Sequence, residues 1–267
     1  MSKAPPVRHK ARKRFGQNFL HDQGVINAIV RAVAPRSGDN IVEIGPGKGA
    51  ITGLLLEHCE RLNVIELDRD LIPGLLAQFA RYREFKIHQA DALSFDFSTL
   101  ANASCPLRIV GNLPYNISTP LIFHLLSHQH LVKDMHFMLQ KEVVQRLAAQ
   151  PNDKNYGRLS LMAQYYCAVE NLFEVPPECF DPAPKVDSAI VRLTPHRVLP
   201  IQAHNIKHLE IVVKTAFSQR RKTLRNSLKT LGVDFDTIDI EIDLAQRAEN
   251  LSLGDYVKLS DAIWPEG

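Results

Sequence analysis

The sequence lacks most of the features that settle a fold early. Its four cysteines, Cys59, Cys105, Cys167 and Cys179, are scattered with no close pairing. Such spacing is neither a disulfide framework nor a zinc ligand set, and it fits a reducing compartment. No apolar run approaches the roughly 18 residues that a membrane-spanning helix needs. The basic N-terminus is not followed by an apolar stretch, so no secretory signal is expected. An acid-poor basic start also resembles a transit peptide, but motif-bearing sequence follows within about twenty residues, leaving little to remove. The expected location is the cytoplasm. There is one tryptophan, Trp264, and no internal repeat or low-complexity tract. The formal net charge is only +3, so total charge says little about partners.

The distribution of charge says more. Residues 8–14, RHKARKR, hold five Lys/Arg in seven positions. Residues 211–229 hold six Lys/Arg and no acid, whereas 234–243, DFDTIDIEID, hold five acids. Hydrophobic residues make up 45% of the 267 and charged ones 23%, an ordinary globular balance. At roughly 100–200 residues per domain the chain is one large domain, or a large one with a small companion.

Short apolar runs alternate with helical spacing. Strands are expected near 41–44, 61–68, 85–91, 108–112, 135–139 and 188–193. Helices are expected over 23–34, 50–59, 71–79, 121–126, 141–149 and 158–169. Pro35 ends the first helix, and Pro73 is tolerated in the first turn of the third. Alternation of this kind predicts an α/β fold with a mainly parallel sheet covered on both faces. Near TPHRVLP, 194–200, the pattern turns helical to the end, which places a boundary between 1–199 and a small all-helical domain, 200–267.

EIGPGKGA, 43–50, supports two readings. As G-x-G-x-x-A it matches a relaxed dinucleotide fingerprint; as E-x-G-x-G-x-G it matches the loop that binds S-adenosylmethionine. Both use glycine to turn sharply and to let a ligand approach the main chain. Both place a helix N-terminus beside an anion, pyrophosphate in one case and the amino-acid carboxylate in the other. Glu66 follows Gly45 by 21 residues at a strand end. There a carboxylate can accept from both ribose hydroxyls, although a solvated acid beside Asp68 is also consistent. Asp91 and Asn112 end the third and fourth of these strands. In a parallel sheet Gly45, Glu66, Asp91 and Asn112 then share one edge, where ligands bind. Asp91, an acceptor when ionised, suits an adenine amine.

IVGNLPYN, 109–116, opens a strand end onto an amide, a proline and a ring. The amine of a nucleobase is a poor nucleophile because its lone pair is delocalised. Two acceptors on its N–H groups favour a pyramidal nitrogen and free that pair. Asn112 offers a side-chain carbonyl. Leu113 offers a main-chain carbonyl, held extended by Pro114. Tyr115 offers a face for stacking, worth roughly 1–3 kcal/mol. No metal and no strong base is needed, because positioning supplies much of the rate and the proton can leave after transfer. Without the preceding loop and acids the same tetrad would be an ordinary turn with a packed tyrosine.

The N-L-P-Y motif resembles the target-amine motif of the rRNA adenine N6-methyltransferase family. RFGQNFL (14–20), EIGPGKGAIT (43–52), CFDPAPKVDSAIVRL (179–193) and AFSQRRKTLRNSL (216–228) resemble its other signatures, with no departure. The match is nearest the bacterial small-subunit (16S) rRNA adenine dimethyltransferases, the KsgA type. The resemblance implies a Rossmann-like class I methyltransferase domain with a helical C-terminal domain. It implies four methyls transferred from S-adenosylmethionine to two adjacent adenines near the 3′ end of 16S rRNA, during assembly of the 30S subunit. It implies that Asn18, Leu20, Gly45, Gly47, Glu66, Asp91 and Asn112 contact the cofactor. Asn112, Leu113 and Tyr115 would hold the adenine, with Phe180 closing over its other face. By residue pattern alone, however, an aromatic before DPAP favours the core.

A base that is chemically edited must leave its stack. The arm, with Arg12, Lys13 and Arg14, and the later basic run, with Arg220, Arg221, Lys222 and Arg225, would bind phosphates in a salt-dependent way. A solvated face is the plainer reading of each. HLLSHQH, 124–130, contains an i, i+4 histidine pair that could bind zinc, but no H-E-x-x-H is present. Solvated histidines and no metal are expected there, and a monomer overall. Two further classes remain open: an RNA-binding assembly factor whose catalysis is secondary, and a nicotinamide oxidoreductase resting on the glycine loop alone.

Overall fold

The computed structural model describes residues 17–59, 61–101 and 104–265. The basic arm, including Arg12, Lys13 and Arg14, lies outside the described residues. The chain divides into two compact units, 1–141 with 171–193, and 142–170 with 194–267. The helical segment starting near residue 200 is therefore grouped with an earlier stretch, 142–170.

The first unit is built on a seven-stranded sheet. Its strands are β2 (Asn40–Ile44), β3 (Leu62–Glu66), β4 (Phe85–Gln89), β5 (Leu107–Asn112), β6 (Val132–Gln140), β7 (Cys167–Val175, from Asn171) and β9 (Ser188–Pro195, through Leu193), in the order β4-β3-β2-β5-β6-β9-β7. Pairing is parallel from β4 through β6, and β9 runs antiparallel to β6. Every residue of β2 and β3 is buried, as expected where helices cover both faces of a parallel sheet. β4, at the edge, is only half-buried.

Helix α1 (Gln23–Val33) starts where Asp22 accepts from the Val25 N–H at 2.8 Å. It ends where Ala34 turns left-handed, at φ 47°. Ile26, Ile29, Val30 and Val33 form its buried stripe, at the spacing of one helical face. Helices α2 (Thr52–His58), α3 (Ile72–Gln78) and α4 (Ser118–Ser127) follow β2, β3 and β5. A separate two-stranded ribbon joins β1 (Phe19–Leu20) to β8 (Phe180–Asp181), with Leu20 opposite Phe180.

The strand order changes direction at β2. From it the chain moves to β3 and β4 on one side, then returns to β5 on the other. The crevice at such a switch point, beyond the carboxyl ends of the strands, is where open α/β sheets bind ligands. Gly111 explains the glycine that closes the apolar run of β5. It pairs with Ile44, and a Cβ there would stand 2.8 Å from the Ile44 carbonyl oxygen. Only glycine lets β5 meet β2 this closely.

The second unit is helical: α5 (Lys141–Ala148, from its second residue), α6 (Arg158–Tyr166), α7 (Ile206–Ala216), α8 (Leu224–Leu228) and α9 (Leu253–Ile263). α7 packs on α6, α8 and α9 through Leu209, Val212, Val213 and Ala216. α9 carries a capping box in which Ser252 and Asp255 exchange hydrogen bonds.

The helix expected over 158–169 stops at Tyr166, and 167–175 is the edge strand β7. CAVENLFEV contains good helix formers, but its ends, Cys167 and Val175, are buried while both glutamates point to solvent. The need of β9 for a neighbour overrides propensity here.

Candidate active site

One cleft opens at the carboxyl ends of β2, β3, β4 and β5, and Gly45, Glu66, Asp91 and Asn112 all line it. These strands are adjacent in the sheet, so the four residues succeed one another across it as Asp91, Glu66, Gly45, Asn112. Asn18, Leu20, Gly47, Leu113 and Tyr115 line the same cleft.

The glycine loop turns through positive φ at Gly45, Gly47 and Gly49, at 68°, 59° and 81°, a region that L side chains enter only at a cost. Its two ends are tied down. The Gly45 N–H donates to the Ile65 carbonyl at 2.9 Å. Beyond the loop, Thr52 Oγ1 donates to Glu43 Oε2 at 2.7 Å. Glu43 is buried, and burial pushes its carboxyl up to about 7, with the charge of Glu66 adding to the rise.

Glu66 is also buried, and burial raises its carboxyl above the usual range. The Asp68 N–H at 2.8 Å and the Gly47 N–H at 3.3 Å work against that rise. A desolvated, acceptor-only carboxylate beside a cleft gains from hydroxyl donors. A cofactor ribose fits it, as the amino-acid end fits the open glycine loop. Asp91 is exposed, and its Oδ1 accepts from the Leu93 N–H at 2.9 Å, which sets the carboxylate at the lip.

Asn112 is half-buried and donates from Nδ2 to the Asn18 carbonyl at 3.1 Å. With its N–H engaged there, the amide keeps Oδ1 as its acceptor. Leu113 is buried, and its N–H donates to the Met138 carbonyl at 3.1 Å. Tyr115 is half-buried, with its hydroxyl 2.7 Å from Ser188 Oγ. Burial raises the phenol pKa.

Phe180 lies elsewhere. It is 4% exposed and belongs to the hydrophobic core with Ile26, Val175 and Ile190. It does not line the cleft; its strand partner Leu20 does. The aromatics that line the cleft are Phe19, on the N-terminal side, and Tyr115, in the turn after β5.

The basic run splits into two kinds of residue. Arg220 is committed within its own unit: Nη2 donates to the Lys154 and Tyr156 carbonyls at 2.9 and 3.1 Å and pairs with Glu249 at 3.2 Å. Arg225 pairs with Asp236 at 2.9 Å, which uses one acid of the 234–243 run. Arg221 and Lys222 are exposed.

Of the histidines of 124–130, His130 is exposed as expected, but His124 and His128 are half-buried. The His124 and His128 rings meet edge to face at 4.9 Å and both pack on Phe97. His124 Nε2 lies 2.9 Å from the Phe95 carbonyl. Among the described residues, no group of three or more His, Cys, Asp or Glu is placed to hold a metal ion.

Several contributors went unassigned from sequence. Ser188, Thr52 and Gln17 stand inside flagged motifs, but only the folded chain shows what each one holds. Gln17 donates to Asp68 at 2.9 Å.

A mainly parallel sheet, a glycine loop at its switch point, an acid ending the next strand and an Asn-Leu-Pro-Tyr turn define a class I, S-adenosylmethionine-dependent methyltransferase. A family model described as ribosomal RNA adenine dimethylase matches residues 8–264, and the chain belongs to that family. A ribosomal RNA small subunit methyltransferase A from Saccharophagus degradans is 68% identical over 261 residues, covering 98% of this chain and 97% of the relative. A protein of the same description from Marinobacter nauticus is 62% identical over 259 residues, covering 97% and 94%. Among solved structures, a dimethyladenosine transferase from Plasmodium falciparum superposes with a TM-score of 0.75 at 28% identity, covering 90% of this chain and 95% of that one. The nicotinamide reading of the glycine loop is thereby set aside.

Proposed function

We propose that this enzyme dimethylates the N6 amines of two adjacent adenines near the 3′ end of 16S rRNA, in the maturing small ribosomal subunit. The observation that carries this is the meeting of Asn112, Leu113 and Tyr115 with Gly45, Glu66 and Asp91 in one cleft.

S-adenosylmethionine, when bound, supplies a methyl group on positively charged sulfur. Asn18, Leu20, Gly45, Gly47, Glu66, Asp91 and Asn112 are the residues we assign to hold it. The chain's own work is then placement. Asn112 Oδ1 and the Leu113 carbonyl accept the two N–H groups of the adenine amine, which localises the nitrogen lone pair. Tyr115 carries the base on its face, with its tilt set by Ser188. The bound cofactor would supply its methyl to that nitrogen and would keep the electron pair of the broken S–C bond. The nitrogen then sheds a proton to water. Alignment rather than acid–base strength carries the rate.

Arg12, Lys13, Arg14, Arg221 and Lys222 are assigned to RNA phosphates, with Arg225 available when Asp236 yields it. An assembly role would use the same RNA surface. We take the enzyme to act as a monomer, and the substrate puts the work in the cytoplasm. No helix among the described residues is long and apolar enough to cross a membrane.

The test is transfer of labelled methyl groups to undermethylated small subunits. Two adjacent dimethyladenines near the 3′ end of 16S rRNA are expected. No label in 16S rRNA, with transfer seen instead when large-subunit RNA is offered in parallel, would overturn the assignment.

A further inference from the structure

Residues 17–20 form a strap that touches three walls of the cleft. Gln17 Nε2 donates to Asp68 Oδ2 at 2.9 Å. The next carbonyl, that of Asn18, accepts from Asn112 Nδ2 at 3.1 Å. The next ring, Phe19, lies under the Lys48 ammonium, 4.3 Å from the ring centre. Asp68 is buried, and its own N–H donates to Glu66 Oε1 at 2.8 Å. A continuous path thus runs from Glu66 through Asp68, Gln17 and Asn18 to Asn112.

An asparagine amide can sit in either of two orientations that exchange its oxygen and nitrogen. Only one presents an acceptor to an incoming amine; the other presents N–H against N–H. The Asn18 carbonyl accepts only a donor, so it selects the productive orientation. That carbonyl lies on a strap whose sheet pairing begins only at Phe19. Its position therefore depends on anchors at both ends. Leu20 opposite Phe180 is one of them, and among the described residues the Gln17–Asp68 contact is another.

We propose that Gln17 is a positioning residue for methyl transfer: its hydrogen bond to Asp68 fixes the Asn18 carbonyl, which keeps Asn112 Oδ1 presented to the target amine. This inference rests on the reading of Asn112 given above. It also joins the two halves of the reaction, because the far end of the path is the carboxylate assigned to the cofactor ribose.

The experiment compares wild type with Gln17→Glu, Asp68→Asn and the double variant. It measures single-turnover transfer at saturating S-adenosylmethionine, cofactor Kd by equilibrium titration, and melting temperature. Gln17→Glu sets two carboxylates face to face and breaks the contact. Adding Asp68→Asn restores it with donor and acceptor exchanged. We expect Gln17→Glu to lower the single-turnover rate about 10- to 100-fold, as small misplacements do, and the double variant to regain most of it. Gln17→Ala, which adds no charge, should show the same loss if Gln17→Glu fails to fold. An unchanged rate in Gln17→Ala, or no rescue in the double variant, overturns the proposal. So does a weaker Kd with an intact rate at saturation, because the strap would then serve the cofactor alone. Asn112→Ala in the same assay separates the two levels. If it stays active, the reading of Asn112 falls; if it is inactive while the Gln17 variants are not, only the strap proposal falls.

Discussion

The hydroxyl oxygens of Tyr115 and Ser188 stand 2.7 Å apart. One belongs to the turn after β5 and the other to the first residue of β9, which is fully buried. A serine 73 positions later in the chain therefore sets the angle of the ring proposed to carry the base. Ser188→Ala and Tyr115→Phe each delete this bond and keep the ring. Each should lower methyl transfer by about 3- to 10-fold, the worth of one hydrogen bond. Tyr115→Ala also removes the stacking face and should cost a further 5- to 100-fold, roughly, by the usual value of base–aromatic stacking. Full activity in Ser188→Ala would show that the ring needs no anchor.

Glu43 gives the stability curve a recognisable slope. Its folded carboxyl holds a proton up to about pH 7, whereas the ordinary value is 4.5. Between those values the folded state binds more protons than the unfolded state, so stability falls as pH rises through the window and levels off above it. Glu43→Gln keeps an acceptor for Thr52 without the charge. It should flatten much of the slope in melting temperature between pH 5 and 7, roughly, and stabilise the protein at pH 8 by on the order of a few kcal/mol. A residual slope of the same sign belongs to Glu66, also raised by burial. An unchanged pH profile in Glu43→Gln would contradict this account.

Phe180 can be tested for its two possible duties separately. Its burial predicts that Phe180→Ala costs about 3–5 kcal/mol of stability, and that Phe180→Leu costs far less. If burial is its whole contribution, Phe180→Leu should retain methyl transfer. Loss of transfer at near-normal melting temperature would restore the stacking role that the family resemblance implies.

The basic run should likewise separate. Arg220→Ala strips two carbonyls and Glu249 of their partner and should lower stability by about 1–3 kcal/mol. Arg221→Ala with Lys222→Ala should leave the melting temperature in place. The pair should reduce the slope of log K against log salt for RNA by about 1–2. Equal salt slopes in wild type and the double variant would remove these residues from the RNA surface.

Much of this architecture was legible in the sequence. The strands ending at Gly45, Glu66, near Asp91 and at Asn112 announced themselves as short apolar runs, because a parallel sheet buried on both faces has no polar alternation to obscure it. Their convergence followed from parallel topology alone. Three kinds of feature did not show. The first three residues of β7 fall within the helix expected over 158–169 and the rest of it carries no expectation, because an edge strand pairs on one side only and shows no clear period. The ribbon of Phe19–Leu20 with Phe180–Asp181 spans some 160 residues of chain, and two-residue strands carry no period. The contacts that fix the site, Ser188 to Tyr115, Thr52 to Glu43 and Gln17 to Asp68, join residues whose types are ordinary. Only the folded chain brings them together. The same reason separates Arg220 from Arg221: the sequence shows adjacent cations, and only the fold shows which one is already occupied.

The most direct measurement is single-turnover methyl transfer to undermethylated small subunits, at saturating S-adenosylmethionine, by Asn112→Ala beside wild type. With the side-chain acceptor gone, the rate should fall about 100-fold or more, by analogy with the loss of one preorganised hydrogen-bonding group at a reacting centre. A variant that methylates 16S rRNA at the wild-type rate would contradict the claim that this amide prepares the adenine nitrogen for attack.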